Sequence, residues 1–233
     1  RVMPREDIIP QLTEVLEKHE KEAGIIYCLR RKDVDDISHK LNKLGYKNLP
    51  YHAGLTDDQR HENQERFIRE EVNIIVATVA FGMGIDRSDI RFVAHAAMPK
   101  SIEHYHQETG RAGRDGLPSY CYMFYGGGDF RIWEFFSKKS ANRQVMLDKL
   151  RVIYNFCTQP QCRHKVFVNY FGQEYPGSSC QACDYCLGEV DTVSDPLTLG
   201  QKIIDCVAGV RYGEDRGFGA GYLAHVLKGT RTD

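Results

Sequence analysis

The segment Val72-Asn-Ile-Ile-Val-Ala-Thr78 leads directly into Val79-Ala-Phe-Gly-Met-Gly-Ile-Asp86. The first part is a short apolar run with β-branched residues, which predicts a buried strand, and the glycines of the second part predict a loop. In open α/β sheets, ligands bind at the carboxyl ends of the strands, where this loop begins. The segment therefore predicts an α/β sheet followed by a ligand-binding loop. The candidate ligand residues of that loop are Thr78, Gly82, Gly84 and Asp86.

Two of these residues suit parts of a nucleotide. Asp86 can accept a hydrogen bond from a ribose hydroxyl, and Thr78 can donate one to a phosphate. Taken singly, each is also an ordinary residue for closing a turn. The loop by itself therefore leaves both interpretations open.

Strands and helices are predicted to alternate through the first half of the chain. The predicted strands are 24–29, 48–53, 72–78, 90–96 and 120–125, and the predicted helices are 10–23, 34–44, 56–69 and 102–109. Asp33 suits the N-cap of the second helix and Gly45 the position after its end, while Thr56 and Gln59 form a capping box that opens the third. Repeated alternation of this kind predicts an α/β fold with a mostly parallel sheet and helices on both faces.

The segment Tyr105-His-Gln-Glu-Thr-Gly-Arg-Ala-Gly-Arg-Asp-Gly116 carries two closely spaced arginines, Arg111 and Arg114. A guanidinium is permanently charged, planar and able to fork onto phosphate oxygens, so this spacing predicts arginine fingers for a nucleoside triphosphate. The glycines let the backbone approach a ligand, and Gln107 and Glu108 supply hydrogen-bonding and charge partners. The alternative is a solvated turn rich in glycine and arginine.

Four of the eight cysteines predict a structural zinc site. Cys180, Cys183 and Cys186 form two overlapping C-x-x-C steps, and either Cys162 or Cys157 supplies the fourth thiolate. Four thiolates close tetrahedrally around zinc and leave no open position, so such a metal has a structural role. A disulfide framework is the alternative. The remaining cysteines lie in apolar runs and are predicted to be small buried residues: Cys28, Cys121 and Cys206.

Composition excludes several classes of protein. The 233 residues are 42% hydrophobic and 27% charged, with a formal net charge of −1, which is ordinary for a globular chain and excludes disordered and collagen-like chains. No apolar run approaches the ~20 residues that a membrane span needs. The first residues lack the apolar core of a secretory signal. We therefore expect an intracellular protein without a membrane partner.

Charge is unevenly placed along the chain. Between residues 138 and 165 there are seven lysines or arginines and one acid, Asp148. Such an excess predicts either a surface that binds nucleic-acid phosphates or an ordinary solvated helix face.

The composition also predicts three domains. Gly126-Gly-Gly-Asp129 is typical of a turn or linker, so the first domain is predicted to span 1–128. A helical segment over 129–156 and the cysteines place a helical zinc-binding domain at 129–190. The composition becomes polar after Asp191, and a new amphipathic helix begins near Leu197, so 191–233 forms a third segment.

Over nearly its whole length the chain resembles a RecQ-type superfamily 2 DNA helicase, in its second RecA-like motor lobe and the domains C-terminal to that lobe. The resemblance rests on four motifs and the cysteine constellation; the motifs are Gly24–Cys28, Tyr51–Leu55, Val76–Ile85 and Gln107–Gly116. It implies a RecA-like parallel sheet between helices, a small helical zinc-binding domain and the start of a winged helix. It also favours Cys162 over Cys157, because in RecQ proteins the ligand precedes a basic residue and a helix ending in Asn-Tyr-Phe-Gly.

The resemblance further implies an ATP-dependent 3′-to-5′ DNA helicase, an ATP hydrolase that acts in DNA repair and recombination. Arg111 and Arg114 are the implied catalytic residues. The implied ATP-binding residues are Gly84, Asp86, Gln107, Arg111 and Arg114. The implied contacts to single-stranded DNA are Arg31, His52, Gly54 and Thr78. The chain departs from the family pattern at Arg30, where RecQ proteins commonly carry a small hydroxyl residue.

Two parts of such a motor are missing from the sequence. It contains no G-x-x-x-x-G-K-[ST] loop and no acidic pair after a strand that would hold Mg²⁺. We therefore expect ATP and Mg²⁺ to bind through an absent N-terminal lobe, and the chain alone to be inactive as an ATPase. Because it ends before a winged helix is complete, we expect a fragment.

The implied partners are therefore DNA, as single strands and duplex junctions, ATP and the N-terminal lobe. The sequence predicts no oligomeric state, and in a bacterium the expected location is the cytoplasm, associated with the nucleoid. Two alternatives remain. A double-stranded DNA translocase also uses GRxGR, although the cysteine module directly after the motor argues against it. A catalytically silent zinc-containing module that binds DNA or docks a partner also fits the basic segment and the missing phosphate loop.

Overall fold

The structure, a computed structural model, describes residues 1–82, 87–138, 140–210 and 219–230. The predicted ligand residues Gly84 and Asp86 lie outside the described residues. Internal contacts divide the chain into two compact units, Arg1–Glu189 and Val190–Asp233.

One parallel sheet organises the first unit. Its strands, within the described residues, are β1 Val2–Pro4, β2 Ala23–Tyr27, β3 Asn48–Tyr51, β4 Ile74–Ala77, β5 Ile90–His95 and β6 Tyr120–Tyr125. Their order is β1-β6-β5-β2-β4-β3, and every neighbouring pair is parallel. The predicted α/β class is therefore confirmed. The sequence pattern did not indicate β1, because three residues are too short to show a period, and only pairing with β6 makes them a strand.

Seven helices in the described part of the first unit surround or extend this sheet. They are α1 Ile8–Lys18, α2 Arg31–Lys43, α3 Asp57–Ile68, α4 Ile102–Thr109, α5 Gly127–Ser137, α6 Arg143–Thr158 and α7 Arg163–Tyr170. The predicted capping box of α3 is confirmed, and Gly45 follows α2 with a φ of +92°. The predicted N-cap was wrong by three positions. Arg30 caps α2, and Asp33 lies in the first turn, where its carboxylate accepts from the Arg30 backbone N–H.

The central strand β2 is covered on both faces. On one face Ile26 packs with Leu12 and Leu41 from α1 and α2. On the other face Ile25 packs with Phe67 at the end of α3. Burial on both faces explains why the strands read as continuous apolar runs and lack alternation. Because neighbouring strands are parallel, the carboxyl ends of β2, β3, β4 and β5 lie along one edge of the sheet.

The predicted linker at Gly126–Asp129 is instead the start of α5. The carboxylate of Asp129 is buried and accepts from the Gly126 N–H at 3.0 Å and from the Arg5 guanidinium at 2.7 Å. The predicted helical segment 129–156 is also two helices, α5 and α6. The three glycines predicted a turn because glycine has a low helix propensity. The helix starts there nevertheless, because the buried Asp129 carboxylate fixes its first turn. The predicted boundary at 128/129 lies inside the first compact unit and stays a prediction.

Helix α6 joins the sheet through its own apolar face. Leu150, Ile153 and Phe156 are buried against Met123 of β6, Tyr105 of α4 and Met98 in the connection between β5 and α4. The helices beyond β6 therefore share a core with the α/β part of the first unit.

The second unit contains α8 Pro196–Val210 and α9 Ala220–Leu227 in its described part. The amphipathic helix predicted near Leu197 is thus present. Its predicted place in a winged helix stays a prediction. In the described ranges of both units, none of the helices combines the length and the apolar character of a bilayer span.

We predict that Gly24→Ala lowers the free energy of unfolding by about 1–3 kcal/mol, because a Cβ at this position would lie 2.0 Å from the fully buried ring of Phe92. The same substitution at Gly128 meets nothing within 4 Å and removes a glycine from α5, so Gly128→Ala is expected to be neutral or slightly stabilising. Urea unfolding of both variants measures the difference. Equal losses of unfolding free energy in the two variants would show that the core between Gly24 of β2 and Phe92 of β5 has room for a methyl group.

Candidate functional site

The four residues predicted to contact a DNA strand meet at the carboxyl edge of the sheet. Arg31 follows β2, His52 and Gly54 follow β3, and Thr78 follows β4. The Thr78 N–H donates to the Tyr51 carbonyl at 3.1 Å, which joins the ends of β3 and β4. A Cβ on Gly54 would lie 3.0 Å from His52 Nδ1 and 3.3 Å from Arg31 Cδ, so these three residues are immediate neighbours.

His52 is only 5% exposed, and both of its ring nitrogens have partners. Nδ1 accepts from the Gly54 N–H at 3.0 Å, so the ring proton sits on Nε2, which donates to Asp35 Oδ1 at 3.0 Å. The ring thus shapes the loop after β3. Arg31 and Gly54 are the exposed members of the predicted set.

Arg30 is exposed next to this group, but its guanidinium is engaged. Nε and Nη2 both donate to the Asp33 carboxylate, at 2.9 and 2.7 Å. The residue that departs from the family pattern is therefore paired with its own helix.

Arg111, the first predicted finger, lies against the loop that follows β4. Its Nη1 donates to the Gly82 carbonyl at 2.5 Å, and only 7% of the residue is exposed. Its Nε is buried and has no hydrogen-bond partner among the described residues. The site therefore holds a buried guanidinium with donor capacity left for an anion.

The second predicted finger, Arg114, is exposed, and its Nε donates to the Gly110 carbonyl at 3.4 Å. Between the fingers, Gly113 has a φ of +68°, and its N–H donates to the Ile90 carbonyl at 2.9 Å. A Cβ there would also lie 2.7 Å from Ser119 Oγ. The glycine is thus needed for conformation and for space, and it ties the finger loop to β5. Gln107 is exposed on α4.

The cysteine pattern of the sequence corresponds to a compact cluster. The Sγ atoms of Cys162, Cys180, Cys183 and Cys186 all lie within 4.8 Å of one another. Thiolates bound at ~2.3 Å to a tetrahedral zinc are about 3.8 Å apart, so the donor set and its spacing fit that metal. The rival ligand Cys157 lies elsewhere, buried with its Sγ 3.2 Å from Met123 Sδ.

Each of the four sulfurs accepts one backbone N–H. The donors are Lys165 to Cys162, Cys183 to Cys180, Cys186 to Cys183 and Cys180 to Cys186, at 3.3–3.5 Å. Such bonds favour the thiolate over the thiol. The N–H of Cys180 is the main cause that lowers the pKa of Cys186 to about 6, whereas burial raises the pKa of Cys183. All eight cysteines are described, and each is a free thiol, which does not fit the disulfide alternative.

A buried ion pair joins the cysteine loop to the rest of the first unit. Asp184, between two of the cysteines, accepts from Arg163 Nε and Nη2 at 2.9 and 3.1 Å and from the Val2 N–H at 3.0 Å. Arg163 also donates to the Phe156 carbonyl at 2.5 Å. The sequence showed Arg163 as part of a basic run and as the basic residue after Cys162, but it gave no sign of a partner, and Asp184 carried no signal of its own. Only the fold brings them to β1.

Several basic side chains between residues 138 and 165 already have acidic partners, so they are less available to bind phosphates than the sequence suggests. Arg163 is buried with Asp184, and Lys149 and Arg151 pair with Glu103 and Asp148 at 2.5 and 2.7 Å. Lys139 lies outside the described residues. Of the other cysteines, Cys28 is buried as predicted, whereas Cys121 and Cys206 are half-buried.

Two protein-family models match the chain. The model for the helicase conserved C-terminal domain matches residues 7–116, and the model for RecQ zinc-binding matches 127–187. The chain belongs to the RecQ helicase family. The predicted RecA-like lobe and the zinc-binding domain that follows it are therefore confirmed as domain types.

RecQ proteins of bacteria are among the relatives. The ATP-dependent DNA helicase RecQ of Bacillus subtilis (strain 168) is 38% identical over 94% of this chain and 37% of its own length. The protein of the same name from Haemophilus influenzae is 40% identical over 94% of this chain and 35% of its own length. The chain thus spans about a third of the length of these curated relatives.

Among solved structures, the C-terminal domain of the DEAD-box protein Dbp5 matches with a TM-score of 0.48 and 20% identity, over 60% of this chain and 82% of that one.

We predict that Asp184→Ala lowers the free energy of unfolding of the first unit by about 3–5 kcal/mol, because Arg163 would remain buried without its carboxylate. The matched control is Asp148→Ala, which breaks an exposed aspartate–arginine pair and is expected to cost at most about 1 kcal/mol. Urea unfolding followed by circular dichroism compares the two. Similar small losses would show that the Arg163–Asp184 pair does not hold the cysteine loop to β1.

Proposed function

We propose that this RecQ chain is the C-terminal part of an ATP-dependent DNA helicase that moves 3′ to 5′ and acts in DNA repair and recombination. The observation that carries the proposal is the seat of Arg111 at the carboxyl edge of the sheet, with its Nε buried and without an acceptor in the described part of the chain. The DNA helicase names of the bacterial relatives support DNA as the substrate. Action on the chromosome implies an intracellular, nucleoid-associated location in a bacterium.

Arg111 and Arg114 have the proposed role of arginine fingers. A guanidinium stabilises the negative charge that spreads over the transferred phosphoryl group, and one finger is worth about 10³–10⁵ in rate. ATP and Mg²⁺ would bind on an N-terminal lobe, where the Mg²⁺ ion would neutralise part of the phosphate charge. This chain would contribute the two fingers, Gln107 from the exposed side of α4, and Gly84 and Asp86.

The loops after β2, β3 and β4 have the proposed role of holding a single DNA strand. Arg31 offers a cation, Gly54 offers open backbone, and Thr78 offers a hydroxyl, all at neighbouring strand ends. His52 supports this surface by fixing the backbone of Gly54. Because each lobe of a two-lobed motor would hold the strand in this way, closure and opening around ATP would move one lobe along the DNA relative to the other.

We further propose that the four cysteines hold one structural zinc ion. The evidence is the thiolate donor set, its spacing and the backbone N–H bonds to each sulfur. Zinc closed by four thiolates has no position for substrate, so its contribution is to folding. Asp184 binds both Arg163 and the Val2 N–H, so it would connect the metal-ordered cysteine loop to β1.

We predict that Cys162→Ser loses the zinc and destabilises residues 162–187, because a structural zinc contributes ~10–16 kcal/mol of apparent binding free energy. Zinc content by atomic emission and chelator-induced unfolding are the measurements. Cys157→Ser is the matched control, since Cys157 lies outside the cluster, and it is expected to retain one zinc per chain. Retention of zinc by Cys162→Ser and its loss from Cys157→Ser would reassign the fourth ligand.

We predict that Arg111→Ala lowers DNA-stimulated ATP hydrolysis at least ~10³-fold in the protein encoded by the complete natural open reading frame, because the charge that stabilises the transition state is lost. Binding of a labelled single strand, measured by fluorescence anisotropy, is expected to change less than about 3-fold, because Arg111 follows α4 and lies outside the strand-contact group. Arg66→Ala on α3 is a control, since it removes an exposed arginine paired with Glu71.

The same experiment tests the second candidate, a catalytically silent zinc-containing module that binds DNA or docks a partner. The basic segment is compatible with this module, and so is the sequence of the chain, which has no phosphate loop and no acidic metal pair. Zinc-dependent DNA binding that is unaffected by ATP, by Arg111→Ala and by Arg114→Ala, with no ATP hydrolysis by the complete protein, would support this module and refute the motor.

A further inference from the structure

Glu108 lies on α4, three residues before Arg111, and its carboxylate is buried. Its Oε2 is 2.7 Å from Nε2 of His95, the last residue of β5. Only 7% of the Glu108 side chain and 2% of the His95 side chain are exposed. Taking two ionisable groups out of water is costly, and apolar side chains of similar volume often serve stability equally well. The pair therefore needs an explanation other than stability.

Two aromatic rings fix the plane of the His95 ring. Tyr27 stacks on it with ring centroids 5.3 Å apart and an interplanar angle of 26°, and Tyr105 contacts it edge-on at 5.0 Å. Within the described part of the chain, Nδ1 has no hydrogen-bond partner, so the bond to Glu108 is the only one that the ring makes. The end of β5 therefore offers one fixed donor, and Glu108 takes it.

This contact joins the last turn of α4 to the carboxyl end of β5, while the buried side chains of Ile102 and Tyr105 hold the earlier turns of the helix. The Arg111 backbone N–H in turn donates to the Glu108 carbonyl at 3.4 Å. The backbone from which the Arg111 side chain extends is thus placed directly by the residue that His95 holds.

Tyr27 fixes the other side of the arginine seat. Its hydroxyl donates to the Phe81 carbonyl at 3.0 Å, which holds the loop after β4 just before Gly82. The Gly82 carbonyl accepts from Arg111, and a Cβ on Gly82 would lie 2.3 Å from Arg111 Nη2 and 3.0 Å from Cζ. The guanidinium therefore occupies the space that any side chain at Gly82 would fill.

We propose that His95 and Glu108 are positioning residues that, with Tyr27 and Gly82, aim the Arg111 guanidinium at the phosphate. The inference rests on the proposed ATPase function, because it assigns the direction of the finger in that reaction. None of these four residues touches the nucleotide in this assignment. Their effect on the reaction passes through Arg111 alone.

The test uses ATP hydrolysis by the protein from the complete natural open reading frame. Glu108→Ala is expected to lower kcat at least 10-fold with KM for ATP changed less than about 3-fold, since an interaction made only in the transition state is lost. Glu108→Gln keeps the acceptor for His95 and is expected to restore kcat to within about 3-fold of the parent. Failure of Glu108→Gln to recover kcat would contradict a positioning role through this hydrogen bond.

A double-mutant cycle separates positioning from general loss of structure. On the Arg111→Ala background, Glu108→Ala is expected to cause no further loss of kcat, because residues that act through one group are not additive. Independent, additive losses would overturn the inference. If Arg111→Ala itself leaves kcat unchanged, the proposed finger function fails, and that outcome is distinct from failure of the positioning inference.

In the variant Gly82→Ala, the new Cβ would press on the guanidinium of Arg111, so the strain falls on the proposed finger. The atoms that the new Cβ meets belong to the flexible end of Arg111, so the core has no need to shift. We expect kcat to fall at least 10-fold with an unchanged unfolding midpoint. An unchanged kcat would refute the assigned seat.

Glu22→Ala is the matched control. It removes a carboxylate that lies 2.6 Å from Nδ1 of a buried histidine, His19, just before β2 at the amino edge of the sheet. This pair joins the same two groups, a buried imidazole and a carboxylate, although the Glu22 side chain is 44% exposed. Because the pair lies away from Arg111, kcat is expected to stay within about 2-fold of the parent. A loss of kcat as large as that of Glu108→Ala would show that removing a carboxylate from a buried histidine lowers kcat wherever the pair lies, which contradicts the inference.

Discussion

The parallel pairing of β2 with β4 and β5 is the constraint on which the other features of the first unit depend. Because the three strands run in one direction and are buried on both faces, their carboxyl ends meet at one edge. That edge carries the loops proposed to contact DNA, the loop whose Gly82 carbonyl binds Arg111, and His95, whose ring binds Glu108 of α4. A reversed central strand would place these groups on opposite sides of the molecule.

Buried charge recurs at each junction of this unit, and each charge has a defined partner. Asp129 joins α5 to Arg5, Asp184 joins the cysteine loop to Arg163, and Glu108 joins α4 to His95. Such pairs contribute little net stability compared with apolar packing, but removing one partner is costly. They therefore favour one arrangement of the elements over other compact arrangements. Arg111 differs from these pairs in its partner, because its guanidinium donates to a backbone carbonyl, that of Gly82, and its Nε has no acceptor among the described residues.

The cysteine loop and the sheet depend on each other through very few atoms. Asp184 lies within the cluster sequence, yet its carboxylate holds the backbone of β1 and the side chain of Arg163. Ordering the loop around a metal would thus also order an edge strand of the sheet. This connection gives a physical reason for a structural metal in a chain whose proposed chemistry takes place elsewhere.

Local patterns in the sequence were enough for the α/β class, three of the four clustered cysteines and the two arginines, whereas the choice of Cys162 over Cys157 came from the family resemblance. Apolar runs mark buried strands, C-x-x-C steps bring Cys180, Cys183 and Cys186 together over a few residues, and the spacing of Arg111 and Arg114 predicts a pair of arginine fingers. These signals are short-range, so they survive without knowledge of the fold. The predicted N-cap of α2, Asp33, was wrong by three residues, because the helix is capped by Arg30 together with Asp33.

Long-range partners were decided only by the tertiary structure. The strand β1, the helix start at Gly127, the burial of His52 and the His95–Glu108 pair all depend on residues far apart in the chain. No periodicity or spacing encodes such partners, because an isolated acid or histidine reads the same whether it is solvated or buried. The sequence by itself determined which chemical groups are present, and the packing of the parallel sheet decided which of them face one another.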